Sequence, residues 1–241
     1  MEKTVLVTRP LPAATRTADR LRVQGYVPML LPLTEIVPLN PAVPEGTFNA
    51  FVATSANALV HASEALLAPY LQLPCFTVGE ATADAARARG FETVTTGDGD
   101  GESLAETIIE ELCSNDSLLY LTGQVRSPGF ERAVAKAGFR CATISVYDTI
   151  SVSYTTEFLS KTLGSRNIDC CLLYSRMSAG VLSTLAEAAG LTHLFDNTLF
   201  LCLSQRIADD LKGFNKPSVR IARRPDEGAL FDLLEEMQDD R

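Results

Sequence analysis

Six places in this chain put a hydroxyl or a guanidinium at the end of a short apolar run, just before a helical pattern. They are Thr8-Arg9, Thr54-Ser55, Gly79 with Thr82, Thr122-Gly123 with Arg126, Ser175-Arg176, and Ser204 with Arg206. In an open parallel sheet, ligands bind beyond the carboxyl ends of the strands. There, hydroxyls and the free N–H groups of helix starts suit an anion. Arginine adds charge-assisted, two-pronged carboxylate binding. The chemistry predicted is capture of a polyanion by neutral donors and a few converging cations. Any single Ser or Thr at such a junction also serves as a plain helix cap. The recurrence of hydroxyl with arginine at four junctions is what favours a ligand.

Other chemistries find no support. No G-x-G-x-x-G follows Val7 and no G-x-x-x-x-G-K-S/T occurs; Gly97-Asp-Gly-Asp-Gly101 has glycines, but its acids would repel phosphate. No G-x-S-x-G elbow is present, and His61 and His193 have no obvious serine or cysteine partner. Asp98-Gly-Asp-Gly-Glu102 lacks the later ligands of a calcium loop and reads as a solvated turn. Cys75, Cys113, Cys141, Cys170, Cys171 and Cys202 form no C-x-x-C pair and read as buried thiols in a reducing compartment, with no metal. A net charge of −9 without a Lys/Arg cluster argues against nucleic acid. No signal peptide is visible at Met1–Pro10, and no apolar stretch approaches the ~20 residues of a membrane helix. The expectation is a soluble, cytoplasmic protein without membrane contact.

The elements that would position these residues repeat. Phe51-Val-Ala-Thr-Ser-Ala-Asn-Ala58, continuing to Cys75-Phe-Thr-Val-Gly-Glu-Ala-Thr-Ala83 and Arg89-Gly-Phe91, is echoed in the second half. There, Cys171-Leu-Leu-Tyr-Ser-Arg-Met-Ser-Ala179 leads to Phe200-Leu-Cys-Leu-Ser-Gln-Arg-Ile-Ala208 and Lys212-Gly-Phe214. Strands are expected at Val5–Val7, Met29–Leu31, Phe51–Ala53, Phe76–Val78, Thr93–Thr95, Leu118–Leu121, Ala142–Val146, Cys171–Leu173, Leu199–Leu201 and Val219–Ile221. Helices alternate with them: one from about Asn57 to Leu67, one opened by a capping box at Ser103-Leu-Ala-Glu106, one with Phe130, Ala133, Val134 and Ala137 on a face, and one reaching Leu211. Strict alternation means parallel sheets covered on both faces. Ten strands fit two five-stranded lobes better than one sheet. Proline-rich Ile36–Pro44 and β-branched Ser145–Ser153, with no helix after it, break the alternation and read as two connections between the lobes.

The motifs, taken in order, resemble the uroporphyrinogen-III synthase family. Val5-Leu-Val-Thr-Arg-Pro10 with Gly25-Tyr26 and Pro32-Leu-Thr-Glu-Ile36 is similar to its N-terminal pattern. Thr54-Ser-Ala-Asn-Ala58 resembles its T-S-x-N-A element, Val78-Gly-Glu-Ala-Thr-Ala83 its V-G-x-x-T-A element, and Val146-Tyr-Asp-Thr149 its V-Y-x-T strand. The chain departs at Leu203-Ser-Gln-Arg-Ile-Ala208, where the family often has G-P-x-T-A, and at Leu121-Thr-Gly123, where it often has Leu-Arg-Gly.

The resemblance implies two flavodoxin-like α/β lobes with parallel sheets, joined by a two-stranded connector. One lobe would comprise residues 1–37 and 152–241, the other 46–143, with 38–45 and 144–151 as connecting strands. It implies cyclisation of hydroxymethylbilane, a linear tetrapyrrole with eight carboxylates, to uroporphyrinogen III, with inversion of ring D, loss of water and no cofactor or metal. Tyr147, matching the V-Y-x-T tyrosine, becomes the candidate proton donor; a hinge-packing role for it stays open. Arg9, Ser55, Thr82, Arg126, Ser175 and Ser204 become the candidate substrate contacts, and a monomer is expected. Two rival readings remain: a two-lobed module that closes on a small anion without catalysis, and a regulatory domain used for protein contacts.

Overall fold

Val5, Leu6 and Val7 are wholly buried, as a strand must be when helices cover both faces of its sheet. The computed structural model describes residues 2–164, 167–215 and 217–239. In chain order its elements are β1 (Thr4–Val7), α1 (Ala13–Val23), β2 (Val27–Leu30), β3 (Thr34–Pro38), β4 (Ala50–Ala53), α2 (Ala56–His61), α3 (Glu64–Leu67), β5 (Cys75–Thr77), α4 (Glu80–Ala88), β6 (Val94–Thr96), α5 (Gly101–Glu111), β7 (Ser117–Gly123), α6 (Gly129–Lys136), β8 (Arg140–Ser151), α7 (Thr156–Leu163), β9 (Cys170–Leu173), α8 (Arg176–Ala188), β10 (Leu199–Cys202), α9 (Gln205–Ala208), β11 (Ser218–Ile221) and α10 (Glu227–Asp239). The chain divides into Met1–Glu35 with Ile150–Arg241, and Ile36–Thr149. It passes from one unit to the other within β3 and again within β8.

The first unit holds a five-stranded sheet in the order β11-β10-β9-β1-β2, with every recorded pair parallel. Numbered within the unit, that is the flavodoxin order 2-1-3-4-5. Alternation along β1 sorts its residues to two faces. Leu6 joins Leu173, Leu182 and Phe200 on one, while Val5 and Val7 join Leu172, Leu201 and Leu230 on the other.

The second unit holds a six-stranded sheet, β3-β8-β7-β4-β5-β6. Its five parallel strands run 3-2-1-4-5 within the unit, another doubly wound order. One core packs Phe51, Leu119, Leu121 and Tyr147, and the opposite one packs Val52, Leu104, Tyr120 and Phe130. β3 stops at Pro38, although the Leu39 amide still donates to the Val146 carbonyl at 2.8 Å; Pro41 and Pro44 have no N–H with which to continue a ladder.

Four local expectations give way. The single helix from Asn57 to Leu67 is two, because Ala62 is extended and the Ser63 side chain caps a fresh start by accepting from the Leu66 amide. The capping box at Ser103 is displaced: Asp100 is the cap and accepts from the amides of Glu102 and Ser103, while the Asp98 amide donates to Ser103 Oγ. A helix does follow the stretch ending at Ser153, since the Thr155 side chain caps α7 and Leu159 and Leu163 bury one face of it. α9 ends at Ala208 rather than Leu211, and beyond it the Lys212 amide donates to Ser183 Oγ instead of continuing the helix. The cysteines divide as well: Cys75, Cys170, Cys171 and Cys202 are buried, Cys141 is half-buried and Cys113 is exposed. Burial lifts the thiols of Cys75, Cys170 and Cys202 to about 12, so they stay protonated and inert. Among the described residues no helix is long and apolar enough to cross a membrane.

Candidate active site

Each unit reverses its winding beside its first strand, and polar side chains gather at both reversals. In the second unit the reversal lies between β4 and β7. Strand order alone puts a crevice beyond their carboxyl ends, and a cavity of about 560 Å³ lies there. Thr54 and Ser55 reach it from the end of β4, Tyr120 and Thr122 from β7, Asp100 and Glu102 from the start of α5, Arg126 from the loop before α6, and Tyr147 from β8.

A backbone irregularity aims Tyr147. Thr122 pairs with Ser145 but Gly123 pairs with Tyr147, leaving Val146 as an extra residue in β8. Such a bulge re-aims the side chain that follows it. The Tyr147 ring then lies against Gly123. A Cβ at that glycine would sit 2.5 Å from the ring's Cζ, so only glycine leaves the ring its place. The Tyr147 hydroxyl donates to Ser55 Oγ at 3.3 Å, and the His61 ring lies 6.0 Å away, centre to centre. On the other face, Tyr120 and Thr54 share a hydrogen bond of 2.7 Å. Burial raises the Tyr120 phenol above its ordinary value, so it keeps its proton.

Arg126 is already engaged. Its Nε and Nη2 both bond the Glu131 carboxylate at 3.0 Å, and the Thr143 hydroxyl donates to the same carboxylate at 3.0 Å. The Arg126 bonds, outweighing partial burial, hold the Glu131 carboxyl below its usual range, with help from Thr143.

In the first unit the reversal lies between β1 and β9. The Arg9 guanidinium stacks over the Tyr174 ring, 4.4 Å from its centre, and pairs with Glu227 at 2.8 Å. Arg20, Thr17 and the Tyr174 hydroxyl bond the same carboxylate. Burial alone would raise the Glu227 carboxyl; the bonds from Thr17, Arg9, Tyr174 and Arg20 outweigh it and hold the group below its ordinary value.

Of the residues expected to bind substrate, Ser55 and Arg126 line the second unit's cavity together with the candidate donor Tyr147. Thr82 does not: it is buried in the first turn of α4. In the first unit, Arg9, Ser175 and Ser204 follow the ends of three adjacent strands, β1, β9 and β10. Ser175 caps α8 and bonds Ser178 Oγ at 2.9 Å. Ser204 precedes α9 and makes no capping bond with its side chain.

Sequence reasoning missed Tyr120, the acidic start of α5, and the Tyr174–Glu227 pair. A lone phenol in the otherwise apolar run Leu118-Leu-Tyr-Leu121 was the available signal for Tyr120. Nothing local tied Glu227 to Arg9, which lies 218 residues away. Among the described residues no group of three or more His, Cys, Asp and Glu side chains is arranged to hold a metal ion.

Two doubly wound parallel sheets, each with donors gathered at its point of reversal, define an α/β protein built for ligands at strand ends. The profile of the uroporphyrinogen-III synthase HemD family (HEM4) matches residues 15–232, and the chain belongs to that family. Uroporphyrinogen-III synthase of Saccharomyces cerevisiae is 29% identical over 123 residues, 44% of this chain; the match spans 45% of the yeast protein's length. Uroporphyrinogen-III synthetase of Helicobacter pylori shares the fold at a TM-score of 0.65 and 19% identity, over 98% of this chain and all of that one. A mutant uroporphyrinogen III synthase of Thermus thermophilus shares it at 0.58 and 18% identity, over 99% of this chain and all of that one.

Proposed function

We propose that this chain cyclises hydroxymethylbilane to uroporphyrinogen III, inverting ring D and releasing water. Membership of the family across residues 15–232 carries the reading. The donor-lined cavity of the second unit supports it. Loss of the ring A hydroxyl as water leaves an electrophilic azafulvene. Ring D attacks it through its substituted carbon, and the spiro intermediate fragments and recloses inverted. Such a reaction needs enforced geometry and a proton for the departing hydroxyl.

Tyr147 is the proposed proton donor. It lines the cavity, and the bulge together with Gly123 fixes its ring. Ser55 and Arg126 are proposed to hold carboxylates in the same unit, with Arg126 held in place by Glu131 through Nε and Nη2. Arg9, Ser175 and Ser204 complete the proposed binding set, and residues 38–45 and 144–151 the proposed connection between units. We extend the proposal to a monomer acting in the cytoplasm without nucleic acid, in keeping with the net charge of −9.

Isomer analysis tests the reading, because the uncatalysed ring closure gives the non-inverted isomer I. Purified protein incubated with hydroxymethylbilane is expected to yield isomer III. A product of isomer I alone, at the rate of a protein-free control, would leave a binding module in place of an enzyme.

A further inference from the structure

Thr54 and Ser55 are consecutive, so they leave the end of β4 toward opposite faces of the sheet, and each meets a tyrosine. Tyr147, from the core on one face, donates to Ser55 Oγ at 3.3 Å. Tyr120, from the core on the other, lies 2.7 Å from Thr54 Oγ1. All four residues line one cavity.

A hydroxyl has one proton to donate and two lone pairs with which to accept. Ser55 Oγ already accepts from the Asn57 amide at 3.2 Å and from Tyr147. Both of its lone pairs are used, and its own proton is left for a ligand. Thr54 also keeps its own proton for a ligand once Tyr120 is the donor of their shared bond. The setting of the phenol favours that direction. Tyr120 is 1% exposed and its ring is fixed against Phe130 at 4.8 Å between centres, so its hydroxyl has few directions to turn. Tyr120 and Thr54 then form a chain of donors pointing one way, toward the cavity. A carboxylate only accepts. Neighbouring hydroxyls whose protons are free are matched to one carboxylate.

We infer that Tyr120 is a positioning residue: through Thr54 it sets the second of two donor hydroxyls that hold one carboxylate of the ligand. The inference rests on the reading above that the ligand is a polycarboxylate tetrapyrrole.

Its test uses uroporphyrin III, a stable octacarboxylate, as a probe in fluorescence titrations, alongside steady-state kinetics with hydroxymethylbilane. Tyr120→Phe keeps the ring and removes only the hydroxyl. It is expected to weaken probe binding and raise KM by about fivefold each, the scale of one hydrogen bond, while kcat changes by less than about twofold. Thr54→Ser keeps the donor and should match wild type. Thr54→Ala should lose as much as Tyr120→Phe or more, and adding Tyr120→Phe to it should cost nothing further. Unchanged binding and KM in Tyr120→Phe, whatever its Tm, would overturn the inference. So would losses that simply add in the double variant, or a folded wild type that does not bind the probe. Wild type that binds uroporphyrin III yet makes only isomer I would sink the enzymatic reading and leave the carboxylate site standing.

Discussion

At the scale of single residues the second unit's site depends on where one phenol stands. A general acid contributes through its proton and its reach, and Tyr147 lines the cavity with its hydroxyl 3.3 Å from Ser55 Oγ. Tyr147→Phe keeps the ring packing and removes the proton. Turnover of hydroxymethylbilane is expected to fall about 10²-fold or more, the range for a lost general acid, with Tm nearly unchanged. A variant within about threefold of wild type would reject the role for Tyr147. Gly123→Ala attacks the same point from behind. The added methyl would stand 2.5 Å from the ring, so Tyr147 must move while every polar group survives. Turnover should drop at least about tenfold with a stability loss of about 1–3 kcal/mol, as for overpacked cores; normal turnover would mean the ring's position does not matter. The phenol itself was legible in the V-Y-x-T motif. The bulge that aims it was not, because an extra residue in β8 is defined only against its partner strand β7.

At the scale of elements, α10 is tied down by one carboxylate. Glu227, its first residue, bonds Arg9 after β1, Thr17 and Arg20 on α1, and Tyr174 after β9. Replacing it by alanine leaves four polar groups without their shared partner and is expected to cost about 1–3 kcal/mol. The pH dependence has a definite sign. The folded-state carboxyl lies below its ordinary value of 4.5. Its stabilisation is therefore complete above that value and lost as pH falls through the lower folded value. Urea titrations of wild type and Glu227→Gln should differ most near neutral pH and converge in acid; a gap that widened in acid would reverse the assignment. Elements were legible where periodicity was local: β1, β9, β10 and the face of α6 stand where apolar runs put them. Side-chain competition for backbone N–H groups was not. Asp100 outcompetes Ser103 as the cap of α5, and Ser63 splits one apolar stripe into α2 and α3. Both contests turn on which hydroxyl or carboxylate reaches an amide first, and spacing alone does not rank them.

At the scale of the whole molecule, the two units differ in how the chain builds them. Everything in the second unit's two cores comes from the single stretch 36–149. The first unit is discontinuous, and its early piece is central to it: β1 is hydrogen-bonded to both β2 and β9. Strand order was foreseeable only as a doubly wound pattern, since which neighbour β1 takes is decided by packing across more than a hundred residues. The consequence is an asymmetry on dissection. Residues 36–149 expressed alone keep both layers around a parallel sheet and are expected to fold, with a cooperative thermal transition and the helical circular dichroism of an α/β domain. Residues 150–241 alone lack β1, β2 and α1, leaving β9 an uncovered edge and Leu172, Leu173 and Leu201 short of their partners. They should be unstructured or aggregate, and co-expression with residues 1–35 should restore a folded species. The isolated second unit should still bind uroporphyrin III through the hydroxyls of Thr54 and Ser55, all of whose partners lie within it. A folded fragment of residues 36–149 that left the probe unbound would take the carboxylate site away from Thr54 and Ser55.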